Sequence, residues 1–219
     1  MKRLFTLLSM VMIGLIGFSQ IVITEISYNG PESGTDTTEF IELYNKTNAS
    51  INMMGYTFTS GVVHTFPNVS IPANGYLVVA LDSVAIMNVF GASAIEWTSG
   101  GLSNGGEPIA LKDASGNLID SLRYDDNSPW PAGGTAAGAP DGGGATIVFC
   151  DTSLDNTNGA NWSASTHTVT GKIVNGKQVY GSPGMADSAC FTTPPPPAPI
   201  NLAAISAVTT NDTLGVPDS

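Results

Sequence analysis

The sequence predicts an all-β protein built as a two-sheet β-sandwich, and three observations point to it. Short runs rich in β-branched and aromatic residues recur along the chain at strand-like lengths. Clusters of Gly, Pro, Asn, Asp and Ser separate them, and 25 glycines and 14 prolines are spread through the 219 residues. Helical spacing is confined to one brief segment. Many short strands with almost no helix are what two sheets packed face to face require.

The elements follow in order. IVITEISY (21–28) and EFIELYN (39–45) read as the first two strands, divided by the turn-forming stretch 29–37. Strand alternation within EFIELYN puts Ile41 and Leu43 on one face and Phe40, Glu42 and Tyr44 on the other, so the first pair is expected in the core. Residues 56–59 and 62–66 flank Ser60-Gly61 as a hairpin, and 76–81 follow the turn Pro72-Ala73-Asn74-Gly75. In 83–90, Val84, Met87 and Phe90 fall near helical spacing with Gly91 as a cap, which predicts a short helix or turn bridging the two sheets. Residues 107–112 and 117–124 flank Asp113-Ala114-Ser115-Gly116 as a second hairpin, and 146–150 form a further strand. The glycine-rich stretch 133–144 reads as a surface loop.

The two ends have a different character. Lys2 and Arg3 precede an apolar run over 4–16, and Gly17 and Ser19 supply small residues for cleavage. This predicts a signal peptide over 1–19, with Gln20 first in the exported chain, since the apolar run is short for a span of ~20 residues. No transmembrane segment is expected after cleavage, and the expected location is secreted or at the cell surface. The sandwich domain is expected over 20–187. A proline-rich linker containing TTPPPPAP follows over 188–199, and 200–219 read as the start of a further β domain.

Charge and cysteine content narrow the partners. The formal net charge is −11, and loss of Lys2 and Arg3 with the leader leaves −13. Such a surface repels phosphate backbones and disfavours direct nucleic-acid binding. Two cysteines, Cys150 and Cys190, fall in the exported part. An oxidising compartment would let them form a disulfide worth roughly 4 kcal/mol, with two free thiols as the alternative.

No catalytic constellation emerges. The only histidines, His64 and His167, sit in no metal-ligand spacing, and no nucleophile-elbow motif accompanies a serine. Trp97, Trp130 and Trp162 are expected to anchor packing rather than to stack on sugars. Glu25, Glu39 and Glu42 cluster at the first two strands. Asp125, Asp126, Asp141, Asp151 and Asp155 lie in later loops, where hard oxygen ligands suit calcium, although their spacing fits no EF-hand. Apart from that calcium candidate, no cofactor is expected.

Several stretches together resemble the lamin-tail domain family, in its bacterial secreted type. They are IVITEISYN, EFIELYNKTNASINMMGY, FPNVSIPANGYLVVAL, GGLSNGGEPIALKDASGNLIDSLRY, PWPA, PDGGGATIVF, Asn161-Trp162 and GSPG, in the family's order over about 21–187. Tyr56 stands where the family more often has tryptophan, and the lamin coiled-coil rod has no counterpart. The resemblance implies an immunoglobulin-like sandwich and a non-catalytic structural or binding module of an exported multidomain protein, acting in adhesion, scaffolding or targeting. The alternative it implies is an accessory domain of a secreted nuclease or phosphoesterase whose catalytic domain lies outside this chain. A protein or cell-surface glycan is the expected partner, met at a sheet edge or at the 133–144 loop.

Overall fold

The structure is a computed structural model and describes residues 20–190. The expected signal peptide, the 200–219 segment and all of the linker except 188–190 lie outside the described residues.

Two principal sheets form the sandwich. One contains β1 (Ile21–Ser27), β2 (Phe40–Asn45), β7 (Tyr76–Ala80), β8 (Ile95–Glu96), β12 (Ile147–Phe149) and β13 (Trp162–Ala164), in the spatial order β13-β12-β1-β2-β7-β8. The other contains β4 (Thr57–Ser60), β5 (Val62–Thr65), β9 (Ser99–Gly100), β10 (Pro108–Lys112) and β11 (Leu118–Arg123), ordered β11-β10-β4-β5-β9. Two ribbons complete the set: β3 (Ile51–Asn52) with β6 (Ser70–Ile71), and β14 (Thr168–Val174) with β15 (Lys177–Tyr180). The expected all-β, immunoglobulin-like sandwich is what forms.

The core lies where alternation puts it. Ile41 and Leu43 are fully buried and join Ile23, Phe58, Leu111 and Ile147 in one cluster between the sheets. Their strand neighbours are buried too. Phe40 belongs to a second cluster with Val78, Ala80 and Ile86, and its ring meets Phe90 edge-on at 5.6 Å. The six-stranded sheet is therefore covered on its outer face as well as its inner one. All three tryptophans are buried, and Trp162 lies 5.3 Å from Trp130 and 5.4 Å from Phe149 between ring centres.

The outer cover begins with α1 (Ser83–Phe90). The Asp82 carboxylate accepts from the Val84 and Ala85 amides at 2.9 Å, and Gly91, at φ 72°, closes the helix with its N–H on the Met87 carbonyl. The sequence predicts that this segment bridges the two sheets, but it joins β7 to β8 within one sheet. The reason is direction: β7 and β8 run parallel, so the chain must return across the sheet's face before pairing again. Ile86 secures that crossover on the outer cluster.

Two further differences concern the later half. The β14–β15 hairpin turns at Asn175-Gly176, both at positive φ (47° and 77°). This dipeptide is among the strongest short hairpin signals, yet Gly171 and the polar residues of β14 mask the strand before it. The 133–144 stretch is a surface loop only in its first half. Ala139, Pro140, Gly143 and Gly144 are buried, and a Cβ on Gly143 would lie 2.0 Å from the Ala136 carbonyl oxygen.

Leu43→Ala is expected to cost roughly 2–5 kcal/mol, because the side chain is fully enclosed and its neighbours are held by both sheets. Urea unfolding should show a lower midpoint with an unchanged slope.

Candidate functional site

Alternation along β2 sends Glu42 to the face opposite Ile41 and Leu43, and the register of β1 on β2 sets Glu25 directly across from it. Residues 181–190 run over this outer face as a strap. Beneath the strap is a cavity of about 160 Å³, lined among others by Thr24, Glu25, Glu42, Tyr44, Tyr76 and Asp187. Cys150, just after β12, and Cys190, at the strap's end, close its rim through a disulfide with the Cα atoms 4.8 Å apart.

Each carboxylate is held by donors from distant parts of the chain. Glu25 Oε1 accepts from Thr146 Oγ1 at 2.6 Å and from the Ser182 amide at 2.9 Å, and Glu25 Oε2 lies 3.0 Å from Ser182 Oγ. Ser182 Oγ also lies 3.0 Å from Asp187 Oδ2, which accepts from Ser165 Oγ as well. Asp187 Oδ1 accepts from the Ala189 amide at 2.6 Å. Glu42 Oε1 accepts from Thr24 Oγ1 and Glu42 Oε2 from the Gly184 amide, both at 2.7 Å.

Electrostatics favour keeping a proton here. Glu25, Glu42 and Asp187 are all buried, and no Lys, Arg or His lines the cavity among the described residues. Burial pushes Glu25 up to about 7, against the pull of the Thr146 and Ser182 hydrogen bonds. Burial first, and the charge of Glu25 second, hold Glu42 well above the usual carboxylate range. Magnitudes agree with this direction. Two charges roughly 5 Å apart repel by about 3 kcal/mol at an effective dielectric of 20, which adds to the cost of burying either charge. Burial likewise raises Tyr76, on the neighbouring strand, to about 12. The arrangement can therefore store and release a proton near neutral pH.

The calcium candidates do not assemble. Asp125 accepts from the Asn127 amide at 2.9 Å, and Asp126 accepts from the Asn127 side chain. Asp141 accepts from Asn29 Nδ2 at 2.5 Å, while Asp151 and Asp155 close turns on Ser153 and Thr157. Hydrogen bonds from Asn127, Ser153 and Thr157 hold Asp125, Asp151 and Asp155 below their ordinary range. Among the described residues, no three His, Cys, Asp or Glu side chains form a group that could hold a metal ion.

The other singled-out residues scatter. Glu39 is separate from Glu25 and Glu42. It accepts from the Leu102 amide at 2.7 Å, and burial, with Asp36, Glu107 and Glu32 nearby, pushes it up to about 7. His64 is buried edge-on against Phe66 at 4.8 Å, with both ring nitrogens unpaired, and burial holds it below its usual value. His167 lines a separate cleft with α1 and β14. Thr146, Ser182 and Asp187 were not singled out in the sequence. Thr146 and Ser182 lie 121 and 157 residues from Glu25, and no local pattern links them to it.

Comparison with protein families matches the model described as Lamin Tail Domain to residues 17–126. That span is half of the chain and holds both glutamates, while the strap and the disulfide lie beyond it. Comparison with curated proteins returns no match.

Stability should depend on pH in a direction the cavity fixes. The folded chain keeps a proton on Glu25 up to about pH 7, while the unfolded chain releases it near 4.5. Its contribution, on the order of 3 kcal/mol, is full below about pH 4.5 and is lost as pH rises through about 7. Thermal melts across this window should show Tm falling by several degrees with rising pH, and E25Q should flatten that slope.

Proposed function

The chain belongs to the lamin tail domain family, and on that premise we propose that it acts as a non-catalytic binding module of an exported multidomain protein, of the bacterial secreted type, in adhesion, scaffolding or targeting. The observation that carries this is how the buried polar groups are used. The carboxylates of the cavity are engaged by the fold's own hydroxyls and amides, so they serve the framework rather than a substrate. The leader-like 1–19 segment supports export, and the proline-rich 192–199 run supports tethering to a neighbour.

The partner is a protein or a cell-surface glycan. A net charge of −11 weighs against nucleic acid. Contact through a sheet edge is supported by β11, which among the described residues pairs only with β10 and leaves Leu118 60% exposed. The 192–199 run also favours a second reading, in which the domain accompanies a secreted nuclease or phosphoesterase whose catalytic part lies outside this chain.

Binding without turnover is the expected result. The purified full chain should be retained saturably on immobilised cell-wall glycan or on a surface protein. It should release no product from nucleic acid or a phosphodiester. Hydrolysis that follows the folded protein through purification would overturn the proposal.

A further inference from the structure

We propose that residues 181–190 form a proton-controlled latch, closed while Glu25 carries a proton and loosened once that proton is lost. The inference goes beyond the binding role and holds whatever partner the domain takes. It begins with a count of hydrogens. Ser182 Oγ lies 3.0 Å from Glu25 Oε2 and 3.0 Å from Asp187 Oδ2, but a hydroxyl has one hydrogen to give. Both contacts are attractive only if one of the two carboxyls brings a proton of its own.

The surroundings decide which one. Ser165 Oγ accepts the His167 amide, at 3.2 Å, and directs its own hydrogen to Asp187. Asp187 also takes the Ala189 amide on its other oxygen, so it is an acceptor throughout. Glu25 Oε1 already receives two donors, which leaves Oε2 to hold the proton. The chain then runs from Glu25 Oε2–H to Ser182 Oγ, and from Ser182 Oγ–H to Asp187 Oδ2.

The carboxyls packed against Glu25 reinforce the need for that proton, against the pull of its hydrogen-bond donors. Glu42 and Tyr44 face it from β2, Tyr76 from β7, and Asp187 from the strap. The β12 side offers the Thr146 hydroxyl and the Cys150 disulfide, and α1 brings the Phe90 ring close to Gly181. His167 and Lys172 line the neighbouring cleft beside α1, which shares Ser182 and Met185 of the strap with this cavity. Loss of the proton removes the bond from Glu25 to Ser182 and sets Glu25 as an anion against the Asp187 carboxylate. Because Asp187 rides on the strap, the repulsion pushes the strap outward. The disulfide pins the strap at Cys190, so opening bows 181–189 without releasing its end.

Amide hydrogen exchange of the full chain, with the disulfide intact, tests this at about pH 5.5 and about pH 8 after correction for intrinsic rates. The latch predicts that protection of the 182–189 amides falls about tenfold or more at the higher pH, while β1 and β2 change little. E25Q stays neutral and keeps a donor for Ser182, so its strap should remain protected at the higher pH. D187N, which removes the strap's own charge, should also weaken the response. Equal strap protection at both pH values in the wild-type chain would overturn the proposal, and so would an E25Q chain that responds as strongly as wild type.

Discussion

Two glutamates placed opposite each other on adjacent strands, buried with no cation beside them among the described residues, govern the outer face of the central sheet. A buried carboxylate is tolerated only when donors or a proton compensate for lost solvation. Glu25 and Glu42 therefore draw in Thr24, Thr146, Ser182 and Gly184, three of which come from segments remote from β1 in sequence. The strap lies where it does because its amides and hydroxyl are the donors this pair requires. An apolar pair would impose no such demand, and would leave the course of 181–190 to the disulfide and the Ser165–Asp187 bond.

The same constraint explains why the six-stranded sheet is buried on both sides. Its inner face makes the sandwich core through Ile41 and Leu43, as in any packed pair of sheets. The outer face is divided. Phe40, two residues before Glu42, packs under α1 with Val78, Ala80 and Ile86, whereas Glu42 faces the polar cavity under the strap. One strand thus positions the apolar crossover and the carboxylate site at adjacent places on a single face. The disulfide from Cys150 to Cys190 joins the end of that sheet to the end of its cover.

Much of the fold was legible because strand alternation and turn chemistry are local. β1, β2 and the hairpins at Ser60-Gly61 and 113–116 follow from runs of a few residues, and the expected Gly91 cap ends α1. The route of α1 was not legible, since parallel pairing of β7 with β8 is a property of the whole sheet. The Asn175-Gly176 turn was readable, but the strands around it are too polar to stand out. The loop aspartates have a local role: Asp151 with Ser153, and Asp155 with Thr157, have the two-residue spacing at which a carboxylate closes its own turn. Glu25 and Glu42 were noticed and then grouped with Glu39, because only the register separates them. Their partners in the later half of the chain carry no sequence mark.

The fold keeps a proton on Glu25. A carboxyl ¹³C titration of the intact wild-type chain measures it directly. The account predicts that the Glu25 carboxyl titrates near pH 7, with Glu42 titrating well above the ordinary range. Titration of both near 4.5 in the folded chain would contradict it, since each would then be ionised and hydrated without need of the strap.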